Sequence, residues 1–423
     1  MSIKKIWAQI KSHPLTRVGP GFVTGVADDD PSGIITYSQA GAQFGFNMLW
    51  TMPVAFPLMS AIQLLCARIG RVTGRGLAAN IKEHFPPAVL FFLVTLLFIA
   101  NVLNIAADIA AMGEVAELVT GINWHIMTGV FVAITLTMQI MIPYHRYVNF
   151  LKWLTLSLLA YIAVIFTVEI PWKEVLWSTF IPTFTLNASA AAVIVAVFGT
   201  TISPYLFFWQ ASQEVEEMKL HHQVSLLDGT YAVAKTELKR IKWDTWGGMF
   251  YSNLTAYFII LATAVTLHAA GITDINNAAQ AAAALKPIAG NFTFILFAIG
   301  ILGVGLIGVP VLAGSAAYAM AEVFNWRSSL EDSALEAKRF YAVISLSVLM
   351  ALVIQYSPIT PMKALFWSAV INGVVAVPLM IVILLLSAKS SVMGTFVASK
   401  MILTLGWIAT VVMGIAALWM FFD

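Results

Sequence analysis

Residues 19–44 read GPGFVTGVADDDPSGIITYSQAGAQF, an apolar stretch of membrane-crossing length with Asp28, Asp29 and Asp30 consecutive near its middle. A carboxylate at the centre of a bilayer costs about 2.5–3.5 kcal/mol even on insertion scales. Pro31 removes a backbone donor and clashes with the preceding turn, and Gly25, Ser32 and Gly33 lower the helical preference further. Loosened backbone at membrane depth is tolerated only where it lines a cavity or is buried in protein. The stretch therefore predicts two half-helices joined by an unwound hinge, with carboxylates turned into a polar site. A cytoplasmic loop followed by a shorter span does not serve, because residues 34–46 are too few to cross.

The rest of the chain has the same character. Of 423 residues 60% are hydrophobic and 10% charged, against about 25% charged in soluble domains. A soluble enzyme is excluded, as is a disordered or fibrous chain. Apolar runs between polar breaks predict about eleven spans, at 19–44, 47–68, 88–111, 124–142, 149–169, 187–211, 246–270, 290–321, 340–357, 362–387 and 399–421. Cys66 is the only cysteine, so neither an intrachain disulfide nor a cysteine metal site is expected. The basic first thirteen residues lack the short apolar core and cleavage site of a removable signal peptide.

Span 6, NASAAAVIVAVFGTTISPYLFFWQASQEVEE, repeats the interruption with Gly199, Thr200, Thr201, Ser203 and Pro204. Spans 1 and 6 occupy corresponding places if residues 19–169 and 187–387 are two repeats, with 399–421 an extra helix. Five spans per repeat make the second half start from the opposite side of the membrane. Paired broken helices in inverted repeats point to an ion or substrate site at the midplane of an alternating-access transporter. Lysine and arginine bias sets the orientation. A cytoplasmic N-terminus leaves only Lys173, Lys286 and Lys363 outside among 23 cations. The C-terminus is then outside, and the chain is expected to be a multi-pass protein of the cell membrane.

At this point the sequence resembles the Nramp family of divalent-metal transporters, which have the leucine-transporter-like fold. The resemblance covers nearly the whole chain and includes NVLNIAADIAAMGE in span 3. It implies an all-α integral membrane protein of about eleven helices in a 5+5 inverted repeat. Where ordinary members carry Asp-Pro-Gly-Asn, this chain has Asp30-Pro31-Ser32-Gly33. Where they carry Met-Pro-His-Asn, it has Ser203-Pro204-Tyr205-Leu206. The family's metal-binding positions thus fall on Asp30, Gly33, Ser203 and, through a backbone carbonyl, Thr200. The family's polar contribution from span 10 falls on Asn372.

A thioether favours softer metals, whereas magnesium and calcium prefer oxygen. Losing the methionine and shortening Asn to Gly removes the soft ligand and widens the site. Mg²⁺ dehydrates reluctantly and is usually held through one or two carboxylates with several waters kept. The pattern is similar to the Nramp-related magnesium transporters, and Mn²⁺ is expected to pass as well. The family's proton relay is mostly missing. Tyr205 replaces the histidine and does not titrate near neutral pH, Ala111 stands where a glutamate is expected, and span 9 has no basic residue beyond Arg339. Asp108 is retained, and Asp28 or Asp29 are the other acids placed to carry protons.

Asn101, Asn104 and Asp108 share related helix faces, consistent with a polar lining of the pathway or with interhelical hydrogen bonding. Gln210, Gln213, Glu214, Glu216 and Glu217 end span 6 on the cytoplasmic side, as an exposed helix end or an exit path, and Glu214 is carried as a pathway candidate. No phosphate loop of the GxxxxGK[ST] type occurs, so ATP drive is not supported. No catalytic constellation, cofactor or nucleic-acid role is expected; the partners are divalent metal ions and the lipid bilayer. Two other readings remain: a proton-coupled Mn²⁺/Fe²⁺ symporter, and an organic-solute symporter of the same fold, against which three aspartates at the break argue.

Overall fold

The computed structural model describes residues 19–143, 146, 157–182, 188–229, 231–356, 358 and 360–420. The basic N-terminal segment and the first half of the expected fifth span lie outside these residues. Among the described residues the chain is helical, without strands. The principal helices are α1 (Pro20–Asp28), α2 (Pro31–Phe44), α3 (Thr51–Thr73), α4 (Leu77–His84), α5 (Pro87–Thr120) and α6 (Trp124–Met141). They continue with α7 (Leu159–Val164), α8 (Trp172–Phe180), α9 (Ala188–Thr201), α10 (Pro204–Leu220), α11 (Tyr231–Thr263), α12 (Ala278–Ala283) and α13 (Lys286–Ala289). The last are α14 (Thr293–Phe324), α15 (Lys338–Ile354), α16 (Pro361–Ala388), α17 (Ser390–Met393) and α18 (Lys400–Trp419).

Proline starts five of these helices, α1, α2, α5, α10 and α16, because its missing N–H is lost there without penalty and its φ is already helical. Gly74 and Gly121 end α3 and α5 at φ of 68° and 72°, a left-handed geometry that glycine adopts without a Cβ clash. Eight helical stretches are long and apolar enough to cross a membrane, counting α9 with α10 as one. The α1–α2 pair and the 17-residue α15 fall on two more of the expected eleven, and α7 lies within the fifth, whose first part is outside the described residues.

Several limits differ from expectation. Helix α5 runs nine residues beyond 111, and α11 begins at Tyr231 rather than near 246. Hydropathy marks only the apolar part of a helix. The polar turns around Lys235, Arg240 and Asp244 continue the same helix out of the hydrocarbon and carry contacts of their own.

Buried apolar residues fall into two main clusters on either side of the breaks. One joins Val26 and Ala27 of α1 to Tyr205–Trp209 of α10, Ile307 and residues beyond it on α14, and Val375 onward on α16. The other joins Ile34 to Ala42 of α2, Ala107 to Val115 of α5, and Phe297 to Val304 of α14. Asp28–Asp30, Thr200–Ser203, Asn104–Asp108 and Asn372 fall at the changeover between them. The polar side chains therefore form a layer between two dry cores. Around this layer α1 packs on α11 and α10, α2 on α11, α16 and α9, α9 on α16, and α5 on α14.

Candidate functional site

Asp30 sits in extended backbone (φ −69°, ψ 171°) as the N-cap of α2. Its Oδ1 accepts from the backbone N–H of Gly33 at 2.9 Å and from Ser32 Oγ at 2.6 Å. This satisfies one of the amides that every helix start leaves free, and the negative charge suits the positive end of the helix dipole. Oδ2 accepts from the Tyr205 hydroxyl at 3.0 Å and from Asn104 Nδ2 at 3.2 Å. Spans 1, 3 and 6 thus converge on one carboxylate that is 1% exposed.

The second break runs through Ile202 and Ser203, with Ser203 extended (φ −79°, ψ 130°) before Pro204 opens α10. Ser203 Oγ turns back onto its own chain, lying 2.6 Å from the carbonyl of Thr200 and 3.0 Å from that of Gly199. Thr200 meets span 1 directly, since a Cβ on Gly33 would lie 3.1 Å from Thr200 Oγ1. The small residue at position 33 is what leaves room between the two breaks.

Asp28 and Asp29 face α11 instead. Ser252 Oγ lies 2.5 Å from Asp28 Oδ2 and 3.1 Å from Asp29 Oδ1. Asp28 Oδ1 and Asp29 Oδ2 have no hydrogen-bond partner among the described residues. Asp108 comes to the other flank. A Cβ on Gly308 would lie 3.2 Å from Asp30 Cβ and 3.9 Å from Asp108 Oδ2, so the bare glycine of α14 lets both acids approach one wall. Asn372 is buried with both amide heavy atoms unpartnered among the described residues. Its neighbour Gly373 packs against Gly199, where a Cβ would come within 2.5 Å of the Gly373 nitrogen.

The structure therefore joins Asp30 to Gly33 and Tyr205 by hydrogen bonds, sets Thr200 beside Gly33, and places Asp28, Asp29 and Asp108 around them. Ser203 lies at the second break, and Asn372 is buried on α16 beside Gly373, which packs on Gly199. Among the described residues no three His, Cys, Asp or Glu side chains form a metal cage. A cleft of about 240 Å³ is lined on α2 by Gln43, Gln39 and Ile35, one turn apart and descending toward the break. Gln39 ties the loop before α12 across it, donating to the Thr273 carbonyl at 3.0 Å and accepting from the Ile275 N–H at 2.9 Å.

Glu214 corrects an expectation. The polar end of span 6 is not an exposed helix end there, because Gln210, Glu214 and Glu216 are buried. The early start of α11 covers it, and Arg240 Nη2 reaches Glu214 at 2.7 Å while its Nε reaches Glu237 at 3.0 Å. Arg71 of α3 lies 3.5 Å from Glu237. Glu214 is thus held in an ion-pair network joining spans 2, 6 and 7, away from Asp30. Beside this network Asp244 accepts from the N–H groups of Gly19 and Gly21, at 3.0 and 2.7 Å, and caps the start of α1. Sequence reasoning missed Ser252, Gly308 and Asp244. The run Ser252, Asn253 and Thr255 inside an apolar span was a readable signal for the first.

Two broken helices meeting at a buried polar layer define a membrane transporter of the leucine-transporter-like class, not an enzyme. The chain belongs to the Nramp family: the model for natural resistance-associated macrophage protein-like sequences matches residues 21–423. It is 25% identical over 400 residues to the divalent metal cation transporter MntH of Klebsiella pneumoniae subsp. pneumoniae, covering 93% of this chain and 90% of that protein. In structure it is similar to the manganese transporter of Eremococcus coleocola, with a TM-score of 0.75 at 16% identity, covering 99% of this chain and 87% of that one. The nucleobase-cation-symport transporter Mhp1 in a closed conformation matches with a TM-score of 0.56 at 14% identity, over 95% and 92%. These likenesses establish the shared fold.

Proposed function

We propose that the protein is a secondary transporter moving divalent cations by alternating access, with largely hydrated Mg²⁺ preferred, Mn²⁺ also accepted, and no coupled proton. The observation that carries this reading is that Asp30 is met by Ser32, Gly33, Asn104 and Tyr205, with no thioether or imidazole among its partners, while Ser203 and Tyr205 stand at the positions where the family resemblance places sulfur and imidazole. Oxygen donors suit hard cations, and without a thioether nothing favours a soft one. Membership of the family, and relatives named divalent metal cation transporters, support the ion class. Asp30, Gly33, Thr200, Ser203 and Asn372 are the proposed ion site, and Asp28, Asp29, Asp108 and Tyr205 its approaches. The two repeats are assigned to 19–169 and 187–387. The basic-loop bias supports a cytoplasmic N-terminus and an external C-terminus. No cofactor is assigned beyond the ion carried.

The test is uptake into proteoliposomes holding a Mg²⁺-sensitive dye, together with Cd²⁺ titration by calorimetry. Ser203→Met should raise Cd²⁺ affinity and lower Mg²⁺ flux, because it restores sulfur and narrows the site. Unchanged Cd²⁺ affinity with unchanged Mg²⁺ flux removes Ser203 from the site. The unpartnered oxygens of Asp28 and Asp29 favour one second reading, a proton-coupled Mn²⁺/Fe²⁺ symporter. Internal acidification driven by Mn²⁺ but not by Mg²⁺ would establish it.

A further inference from the structure

We infer that the loop helices α4 and α12 are a matched pair of clamps, each pinned by a glutamate of a third span and each fastening one half-helix of the broken spans. The inference rests on the alternating-access reading and adds which contacts must let go. Glu114, near the end of α5, accepts from the N–H of Ala278, the first residue of α12, at 2.9 Å. Glu322, near the end of α14, accepts from the N–H of Ala79 in the first turn of α4 at 3.0 Å. A Cβ on Gly76, the N-cap of α4, would overlap the Glu322 carboxylate, so the bare glycine is what admits it. In the assigned repeats α5 and α14 are the third spans, and α4 and α12 lie in the loops leading into them. The exchange is reciprocal, because the third span of each repeat holds the loop helix of the other.

The other ends of the clamps fall on equivalent residues. Gln39 is the ninth residue of α2 and Ser212 the ninth of α10, each helix starting with the proline of its break. Gln39 holds the loop leading into α12 through the Thr273 carbonyl and the Ile275 N–H. Ser212 Oγ donates to Glu322 Oε1 at 3.2 Å. Helices of six and eight residues do not stand alone in water, and a carboxylate on free N-terminal amides is charge-assisted. Each loop helix is therefore held firmly by its glutamate, and Lys82 adds a second tie from α4 to the Val323 carbonyl of α14 at 2.8 Å. The grip on the half-helix is weaker. The partners of Gln39 are neutral, and 3.2 Å is long for a hydroxyl on a carboxylate. When a clamp opens, the loop helix stays with α5 or α14 and the half-helix goes free. Both grips are made in this structure, and alternating access requires them to open in turn.

The test is maleimide labelling of the detergent-solubilised full chain in a Cys66→Ala background, with one reporter at each clamp. Ile35→Cys reports from the cleft of about 240 Å³ that Gln39 lines. Val215→Cys reports from a cavity of about 660 Å³ that Ser212 and Glu322 line. Both positions are buried. Gln39→Leu removes the first grip with little change of volume, and Ser212→Ala removes the second. Gln39→Leu should quicken labelling at Ile35→Cys about tenfold, the size of the hydrogen bonding lost, and slow it at Val215→Cys. Ser212→Ala should do the reverse, and the two together should bring the ratio of the rates back toward that of the parent. A residue that only braces its surroundings would quicken its own reporter and leave the other unmoved. That result overturns the inference, as do unchanged rates at both reporters. If either variant fails to fold, Glu114→Gln or Glu322→Gln loosens the same clamp from its other end and decides in its place. If the parent carries no divalent cation in proteoliposomes, the transport reading fails, while the labelling, which needs no substrate, still decides the clamps.

Discussion

Helix α1 is seated on α11 backbone to backbone, and one methyl group should unseat it. A Cβ placed on Gly25 would lie 2.2 Å from the carbonyl carbon of Gly248 and 2.3 Å from its oxygen, where ordinary contact is 3.4–4 Å. Gly25→Ala therefore requires the two helices to part by about 1 Å, since no flexible side chain is available to yield. Overpacking of this kind costs about 1–3 kcal/mol. A nine-residue helix hinged at Asp29 can escape that cost by swinging away without unfolding. With a tenfold change for every 1.4 kcal/mol, the ratio of released to docked α1 should rise about 5- to 150-fold. The assay is maleimide labelling of Val26→Cys in a Cys66→Ala background, Cys66 being the sole and buried native thiol. Gly25→Ala and Gly248→Ala should both speed labelling, the latter because its Cβ would meet the Gly21 carbonyl at 2.4 Å. Gly247→Ala is the control, for a Cβ there meets nothing within 4 Å. Equal labelling of all three variants and the parent, at unchanged melting temperature, would refute the close contact and its role in holding α1.

Arg240→Met should lower the melting temperature far more than Glu214→Gln, because it strands a buried carboxylate, a loss of about 3–5 kcal/mol; a thermal melt of both, with the double variant recovering part of the loss, checks this. Gly33→Asn should reduce Mg²⁺ flux several-fold while sparing Mn²⁺ more, since even its Cβ would press on Thr200 Oγ1 at 3.1 Å. Dye-based uptake of both ions from one preparation measures that ratio, and an unchanged ratio would mean that position 33 does not set the width of the site.

The breaks, the carboxylate at the first of them and the approximate spans were legible because each breaks a rule of local physics. Acids in hydrocarbon and proline inside a helix are visible in a single stretch of chain. The contacts that give Asp30 its surroundings were not legible, because they join residues far apart in sequence. Asn104 stands 74 positions from Asp30 and Tyr205 stands 175, and periodicity could place Asn104 on a polar face without saying what that face touches. Glu214 shows the converse error. A run of glutamates at a helix end resembles a solvated terminus until the early start of α11 brings Arg240 over it. Gly308 illustrates a third limit. In span 8 it is one small residue among many, and only the proximity of Asp30 Cβ gives it a distinct role.

The four donors on Asp30 also bear on what keeps time in the transport cycle. A carrier that strips its ion must wait for water to leave the metal, and that wait differs between Mg²⁺ and Mn²⁺. A carboxylate already bonded by Ser32, Gly33, Asn104 and Tyr205 would have to give up one of these bonds before joining such an exchange. For an ion that keeps its water, the slow step would pass to the movement of the half-helices, as it does in many proteins gated by conformational change. On the proposed reading the cycle would then run on a mechanical clock, and at saturation both ions should be carried at the same pace.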